Sequence, residues 1–341
     1  MLLEPIKIGV EDLPKPLPKP MWSAAFDAPV NNIVAVDDGV AFMCGDGTIR
    51  FLSHELEEHV VQSHSGAILS SAVTSDGKII SGGDDGRVVL TDRDSMTVLH
   101  DDSSQWVNSV AAGKKGNMAW SAGRTCFYMS GVGTVSKLEC PSTPAALAFD
   151  PKGRRVAIAL YGGAWLWLPK DKTNQVRKLG WKGSHLAITW SPDGRYIVTA
   201  TQEAELHGWR LKDEGNLRMA GYPGKVHSMD WNAAGTHLAT SGAPATIVWS
   251  FEGAGPMNRA PIEEGFLASS LQRVAWHSVE DIMAFGCAMG GVQLAKLNYG
   301  VPKELRKPDG QKISGLAWAN SGTWLVVGTA NGTAEIHAFG K

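Results

Sequence analysis

The residues with the clearest potential for metal chemistry lie between His54 and His59, in the segment His-Glu-Leu-Glu-Glu-His. Zinc hydrolases place two histidines four residues apart on one face of a helix, with a glutamate beside the first. Here the second histidine comes five residues later, and five residues turn an α-helix by about 500°. His64 does not complete a site, because five extended residues separate it from His59 by about 16 Å. We therefore predict a solvated charged loop, with no metal and no cofactor.

Asp230 is the second residue with potential for chemistry, because the residues aligned with it in the repeats described below are alanine or threonine. A carboxylate at such a position is costly unless it is paired or hydrogen-bonded. It could serve as a ligand or base with His227 close by, or it could accept hydrogen bonds from neighbouring backbone or from Ser228. We favour the structural interpretation, because a single carboxylate without a partner seldom makes an active site.

The common nucleotide and hydrolase motifs are missing from the sequence. Gly77, Gly113 and Gly224 are each followed by lysine, but the next residue is Ile, Lys or Val, where a phosphate-binding loop needs Ser or Thr. No Gly-x-Ser-x-Gly nucleophile turn occurs. We therefore expect no enzymatic activity.

Composition narrows the class of protein further. The 341 residues are 43% hydrophobic and 19% charged, and they include 39 glycines. This balance excludes a disordered or collagen-like chain and favours a packed core with many tight turns. The net charge of −2 gives no strong signal for nucleic-acid binding.

The cysteines and the chain start indicate the compartment. Four cysteines without a Cys-x-x-Cys pair are too few for a disulfide scaffold, so we expect reduced core residues. The first 20 residues carry acids and prolines instead of a signal peptide, and no run of 18 apolar residues occurs. We predict a cytoplasmic protein with no membrane segment.

Eight copies of a unit of about 40 residues organise the chain. Four plain copies begin at Leu186, His227, Gln272 and Ser314, and four weaker copies begin at Asn32, Ile68, Val107 and Ala145. The residue that opens the third strand of each copy recurs every 38 to 46 residues. Three short strands per copy with this period are typical of a β-propeller, in which blades surround a central channel.

The strands and turns within each copy support this interpretation. In the first strand, large apolar residues alternate with small ones, as in Ile188, Thr189 and Trp190. Asp-Gly pairs such as Asp85-Gly86 and Asp193-Gly194 follow, and they favour tight hairpins. Each copy is therefore predicted to be an antiparallel meander.

The segments WSPDGRYIVTAT and GGDDGRVVLTD, together with Trp249, resemble the WD-repeat propeller family, and the resemblance covers residues 20–341. It implies an all-β fold and a single closed propeller of eight four-stranded blades; the alternative is seven blades plus an appended unit. The sequence lacks the Trp-Asp dipeptide and the Gly-His pair of the family, with only His64 and His185 near the expected place. We therefore expect tryptophan packing, instead of a buried Asp-His-Ser/Thr-Trp network, to stabilise the blades.

The two ends of the chain complete the predicted domain organisation. The eighth copy ends at Lys341 without an outer strand, and residues 20–26 lie where such a strand would be supplied. We predict that this N-terminal segment pairs with the last blade and covers its edge. Residues 1–19, rich in proline and lysine, are predicted to form an arm outside the propeller of residues 20–341.

The resemblance implies a non-catalytic interaction scaffold, or a subunit of a larger complex, that binds a protein or peptide as a monomeric propeller. The loops that lead into first strands and those that join second to third strands share one rim in this family. The aromatic and polar residues predicted on that rim are Trp106, Asn108, Tyr161, Trp181, Lys182, Tyr222, Lys225, His227, Gln272 and Lys312. The loop with Met257 and Arg259 offers a second face. The alternative function is an enzyme or small-ligand binder that uses the central channel near Asp230.

Overall fold

The computed structural model describes residues 19–171 and 173–339. Within these ranges the protein is all-β, with two short 3₁₀ turns at Lys114–Gly116 and Asn320–Gly322 and no α-helix. The predicted arm of residues 1–19 lies outside the described residues except for Lys19.

Thirty strands occur in the described part of the chain. The first fifteen are β1 Trp22–Ala25, β2 Val30–Val36, β3 Gly39–Cys44, β4 Thr48–Leu52, β5 Glu58–Gln62, β6 Ile68–Val73, β7 Ile79–Gly83, β8 Arg87–Thr91, β9 Met96–Asp101, β10 Ser109–Ala112, β11 Met118–Ala122, β12 Thr125–Met129, β13 Val135–Glu139, β14 Ala146–Phe149 and β15 Val156–Trp167. The others are β16 Val176–Trp190, β17 Tyr196–Thr201, β18 Leu206–Arg210, β19 Gly215–Met219, β20 Met229–Trp231, β21 His237–Thr240, β22 Thr246–Ser250, β23 Ile262–Glu264, β24 Leu271–Trp276, β25 Ile282–Cys287, β26 Val292–Lys296, β27 Tyr299–Arg306, β28 Ile313–Ala319, β29 Trp324–Thr329 and β30 Thr333–Ala338.

The described strands form seven antiparallel sheets. Their orders are β2-β3-β4-β5, β6-β7-β8-β9, β10-β11-β12-β13, β14-β15-β16-β17-β18-β19, β20-β21-β22-β23, β24-β25-β26-β27 and β1-β30-β29-β28. The expectation of eight separate four-stranded blades is therefore wrong, and the alternative of seven blades matches the number of sheets.

The six-stranded sheet explains the difference, because it contains two of the eight sequence repeats. The first half of β15 pairs with β14, and its second half pairs with β16. The second half of β16 then pairs with β17 of the next repeat. Between the halves of β15 lie Gly162 and Gly163, with φ of +84° and +135°. A side chain at Gly163 would meet the carbonyl oxygen of Leu179 at 2.0 Å, so glycine is required where the chain bends.

The N-terminal strand completes the last sheet, as predicted. β1 pairs with β30 from Trp22 opposite Ile336 to Ala25 opposite Thr333. The Trp22 ring stacks on Phe42 at 5.9 Å, and Phe26 contacts the same ring at 5.6 Å. The pairing covers the edge that β30 would otherwise expose.

The described residues divide into two compact units. Unit 1 contains the described part of residues 1–42, together with Phe51–Glu58 and residues 221–339; unit 2 contains Met43–Arg50 and the described part of residues 59–220. In unit 1 the first strands β20, β24, β28 and β2 pack in succession, and in unit 2 β6, β10 and β14 do so.

Small hydroxyl residues join neighbouring first strands in both units. The hydroxyl of Ser228, directly before β20, accepts the backbone N–H of Val274 in β24 at 3.2 Å. Ser70 and Ser109 receive the N–H groups of Val110 and Leu147 in the same way. These bonds fix the positions of successive first strands and of the loops that precede them. All four cysteines are free and buried, as expected of core residues.

Candidate functional site

A histidine network stabilises the second repeat and corrects the expectation that such networks are missing. His64 bonds Asp85 through Nδ1 at 3.0 Å and Ser81 through Nε2 at 2.8 Å. Burial by itself would raise the pKa of Asp85, but the bonds from His64 and from the N–H groups of Ser65 and Arg87 lower it below its ordinary value. The carboxylate therefore stays ionised and holds the histidine and the turn together.

Other repeats make the same kind of connection with different residues. His185 bonds the Thr199 hydroxyl through Nδ1 at 2.7 Å. The amide oxygen of Gln311 accepts from the hydroxyls of Thr329 at 3.0 Å and Thr333 at 2.7 Å. A buried polar link is thus kept where the family's Gly-His pair is absent.

Tyr222 belongs to one of these links. Its hydroxyl bonds the Thr240 hydroxyl at 2.7 Å and accepts the indole N–H of Trp249, also at 2.7 Å. Burial raises the pKa of Tyr222 to about 12. The sequence predicts Tyr222 as a partner contact, but these bonds favour a structural role.

Trp181 is also engaged within the protein. Its ring lies on His207 with 3.7 Å between the ring centroids and 13° between the planes. It packs against a buried cluster that includes Leu166 and Trp209. Burial lowers the pKa of His207 to about 4, against the opposing bond to Asn216. The half-buried Trp181 therefore has less free surface than a partner contact would offer.

Two predicted aromatic residues are free at the surface of unit 2. The exposed fractions of Trp106 and Tyr161 are 62% and 72%. The N–H of Val107 bonds the carbonyl of Gly83 at 3.1 Å, and that of Tyr161 bonds the Ser142 hydroxyl at 3.1 Å. The predicted polar neighbours Asn108 and Lys182 are also exposed. We call Trp106, Asn108, Tyr161 and Lys182 the aromatic surface.

In unit 1 three of the predicted rim residues belong to a group of basic side chains. Lys225, His227 and Lys312 are exposed. Burial lowers the pKa of His227, and the positive charges of Lys312, Arg273 and Lys225 lower it further. Arg273 was not predicted, although this arginine stands where the aligned repeats have Ser228 and Gly315. We call Lys225, His227, Arg273 and Lys312 the basic cluster.

Gln272, like Tyr222, is a predicted rim residue of unit 1 that is engaged within the protein. It is buried, and its amide donates to the carbonyl of Ser270 at 3.3 Å. It therefore supports the loop that leads into β24 and offers little surface to a partner.

Two further exposed apolar residues of unit 1 lie on loops of the kinds used to predict the rim, but they were not predicted from the sequence. Phe266 precedes β24 and Met289 joins β25 to β26, with exposed fractions of 69% and 47%. The N–H of Met289 donates to the Ser269 hydroxyl at 3.1 Å, so the two loops are connected. Phe266 could have been found from its place between Gly265 and the serines of the loop, which is a turn composition with one large apolar residue.

Asp230 is bound by backbone, in line with the structural interpretation. Its carboxylate accepts the N–H of Trp231 at 3.0 Å and that of Trp276 at 2.7 Å. Burial raises the pKa of Asp230 to about 6, and the two bonds lower it only in part. No hydrogen bond or ion pair joins Asp230 to His227 in the described part of the chain. Two open clefts of about 540 and 470 Å³ are lined by other residues.

The histidines considered for metal binding have other surroundings. His54 lies 3.5 Å from an Asp38 carboxylate oxygen and meets the Trp324 ring edge-on at 5.7 Å. It follows Ser53, whose hydroxyl accepts the N–H groups of Glu55 and Glu57 and closes a turn. His59 is exposed on β5. Among the described residues no three His, Cys, Asp or Glu side chains are grouped so as to hold a metal ion.

In residues 19–171 and 173–339 no helix has the length and apolar character that a membrane crossing requires.

Two segments of the chain match models of related protein families. Residues 274–340 match the family model "Anaphase-promoting complex subunit 4 WD40 domain", and residues 56–92 match "WD domain, G-beta repeat". The 77 kDa echinoderm microtubule-associated protein of Lytechinus variegatus is 25% identical over 69% of this chain and 43% of its own length. Echinoderm microtubule-associated protein-like 2 of Rattus norvegicus is 21% identical over 59% of this chain and 28% of its own. The chain thus spans less than half the length of these curated relatives.

Solved structures share the fold. A computationally designed protein superposes with a TM-score of 0.75 at 15% identity, over 92% of this chain and 98% of that protein. A chain of the mitotic checkpoint complex superposes with a TM-score of 0.65 at 12% identity, over 80% of this chain and 90% of that one. The family-model matches over residues 56–92 and 274–340, together with the relatives, support a WD-repeat β-propeller family for this chain, and the solved structures share its fold.

Proposed function

We propose that this chain is a non-catalytic interaction scaffold, or a subunit of a larger complex, that binds a protein or peptide through the aromatic surface. The observation that carries the proposal is the exposure of Trp106, on the loop before β10, and of Tyr161, at the bend of β15, where hydrogen bonds hold the backbone. Members of the WD-repeat family are typically protein-interaction scaffolds. We place the protein in the cytoplasm, as a monomeric propeller domain of residues 20–341 within an assembly.

Physical chemistry supports a partner at this surface. Tryptophan and tyrosine bury large areas with few rotatable bonds, so they are enriched among residues that dominate binding energy. Because hydrogen bonds already hold the backbone at Trp106 and Tyr161 in place, binding a partner costs little further conformational entropy. Lys182 and Asn108 supply polar contacts at the edge of the same surface.

The relatives indicate which partner to test first. Two of them are named as microtubule-associated proteins. Microtubules are therefore the first assembly to test with this chain, and co-sedimentation with polymerised tubulin measures that binding directly. Proteins that co-purify with the tagged chain from cells are the second set of candidate partners.

The experiment is affinity purification of the tagged chain, with partners quantified by mass spectrometry, beside microtubule co-sedimentation. The variant Trp106→Ala with Tyr161→Ala should lose the main partner. Tyr299→Ala is the matched control, because Tyr299 is also an exposed tyrosine but opens β27 of unit 1. An unchanged set and amount of partners for the double variant would refute the assignment of the aromatic surface.

A further inference from the structure

We propose that the basic cluster of unit 1, flanked by Phe266 and Met289, binds an acidic segment of a partner protein, with a carboxylate held by Arg273. The inference rests on the proposed function as an interaction scaffold and names the chemistry of a second contact. It concerns residues separate from the aromatic surface, so the two assignments can fail independently.

Arg273 is a half-buried cation without a carboxylate partner. Its one hydrogen bond runs from Nη1 to the carbonyl of Gln272 at 3.0 Å, and no ion pair engages it among the described residues. Desolvated charges in proteins are normally paired. Each guanidinium nitrogen of Arg273 is either hydrogen-bonded or accessible to solvent, so the donors that make no hydrogen bond face water. Such a guanidinium offers a planar fork that matches a carboxylate.

The strand arrangement explains why the three cations and His227 share one region. β20, β24 and β28 pack side by side. The two bonds between Ser228 and Val274 join β20 to β24, and the indole N–H of Trp318 donates to the carbonyl of Ala275 at 3.2 Å to join β24 to β28. Lys225 and Lys312 occupy equivalent positions, each directly before a buried residue that leads into a first strand.

The charges of this region remain uncompensated by its own acids. Asp309, three residues before Lys312, is paired with Arg306 at 2.6 Å, and Glu335 bonds the same arginine at 3.1 Å. Burial, and after it the positive charges of Lys312, Arg273 and Lys225, lower the pKa of His227. An arriving carboxylate therefore meets a positive region that it can neutralise.

The apolar flank favours a peptide over other anions. Phe266 and Met289 expose large side chains on connected loops beside the cluster. A peptide can place an apolar side chain there while its acidic neighbour reaches Arg273. A nucleic acid would be favoured by a broad basic field, and the net charge of the chain is −2.

The test is fluorescence anisotropy with the purified full chain and a fluorescein-labelled peptide, Glu-Glu-Leu-Glu-Glu-Leu. The wild type should bind this peptide and bind a glutamine version at least about tenfold more weakly. Arg273→Ala should weaken binding about tenfold, and Arg273→Lys should restore part of it. Because Arg273 contacts backbone, the exposed variants Lys225→Glu and Lys312→Glu provide a test that does not disturb the interior. Arg259→Ala removes the same charge from an exposed loop of unit 1 and should bind normally.

Any one of five results would overturn the inference. The first two are equal binding of the glutamine peptide and normal binding by Arg273→Ala and both lysine variants. The next two are an equal loss in Arg259→Ala and tighter Arg273-dependent binding of a single-stranded oligonucleotide or a phosphoserine peptide than of the glutamate peptide. No detectable binding of the glutamate peptide by wild type would do the same. The aromatic surface takes no part in this titration, so failure here leaves the proposed function to its own experiment.

Discussion

The indole N–H of Trp249 donates to the hydroxyl of Tyr222 over 2.7 Å, and the same hydroxyl bonds Thr240 over 2.7 Å. Tyr222 thus links the loop before β20 to β21 and β22. In the second repeat, His64 makes the corresponding connection to Ser81 and Asp85. The family's polar network therefore persists although its usual residue pair is absent.

Tyr222→Phe is expected to lower stability without affecting partner binding. The change removes one hydroxyl and leaves Thr240 and the buried indole N–H of Trp249 without this partner, so the free energy of unfolding should fall by about 1 to 3 kcal/mol. Urea unfolding measures it, with Tyr161→Phe as the exposed control. Unchanged stability with weakened binding would return Tyr222 to the partner surface.

Trp181→Ala is expected to act through stability as well. The variant loses the stacking on His207 and part of the contact with the cluster around Trp209, which should cost about 2 kcal/mol or more in the free energy of unfolding. Thermal unfolding beside a partner-binding assay separates the two roles. A stable variant with lost affinity would contradict the structural assignment.

Asp230 should make stability depend on pH in an unusual direction. Its pKa is raised from the ordinary 3.8 to about 6 in the folded state, so the folded protein binds this proton more tightly than the unfolded chain. This stabilisation is complete below pH 3.8 and is lost as pH rises through 6, and it amounts to about 3 kcal/mol.

The measurement is the difference in unfolding free energy between wild type and Asp230→Asn across this pH range. The difference should change between pH 4 and 6 and stay constant above it. Asp171→Asn serves as the control, because hydrogen bonds from Thr173 lower the pKa of Asp171, so its stabilising effect is lost as pH falls. A constant difference for Asp230→Asn across the range would contradict the raised pKa.

Deleting residues 20–26 should destabilise the sheet that β1 completes. The deletion removes the pairing of Trp22–Ala25 with β30 and the aromatic contacts to Phe42. We expect the free energy of unfolding to fall by more than about 3 kcal/mol, with aggregation through the exposed edge of β30. Deletion of residues 1–18 alone is the comparison. Equal melting temperatures for both deletions would show that the pairing contributes little.

Local features of the sequence were sufficient to predict the all-β fold and the closing strand. Alternation in the first strands and Asp-Gly turns are set by neighbouring residues, so they are readable without tertiary structure. The number of sheets was not readable in this way. It depends on the two halves of β15 pairing with different strands, and on the two halves of β16 doing the same. The bend at Gly162 and Gly163 that permits this is a property of the folded backbone.

The sequence was also insufficient to predict which aromatic residues are exposed for partner binding. Trp106, Trp181, Tyr161 and Tyr222 look alike in sequence, since each is an aromatic residue at or near a predicted loop. What separates them is contact with residues distant in the chain. Trp181 meets His207, and Tyr222 meets Thr240 and Trp249, whereas Trp106 and Tyr161 stay exposed. Which of these aromatic side chains is buried depends on contacts made in the folded protein, and the composition of a single loop does not reveal those contacts.

The most direct test of the account is the affinity of Trp106→Ala for the identified partner, measured by isothermal titration calorimetry beside its thermal unfolding. Because the side chain is 62% exposed and its loop is held by backbone bonds, stability should stay within about 0.5 kcal/mol of wild type. The binding free energy should weaken by about 2 kcal/mol or more if Trp106 anchors the partner. Wild-type affinity in both Trp106→Ala and Tyr161→Ala would contradict the account.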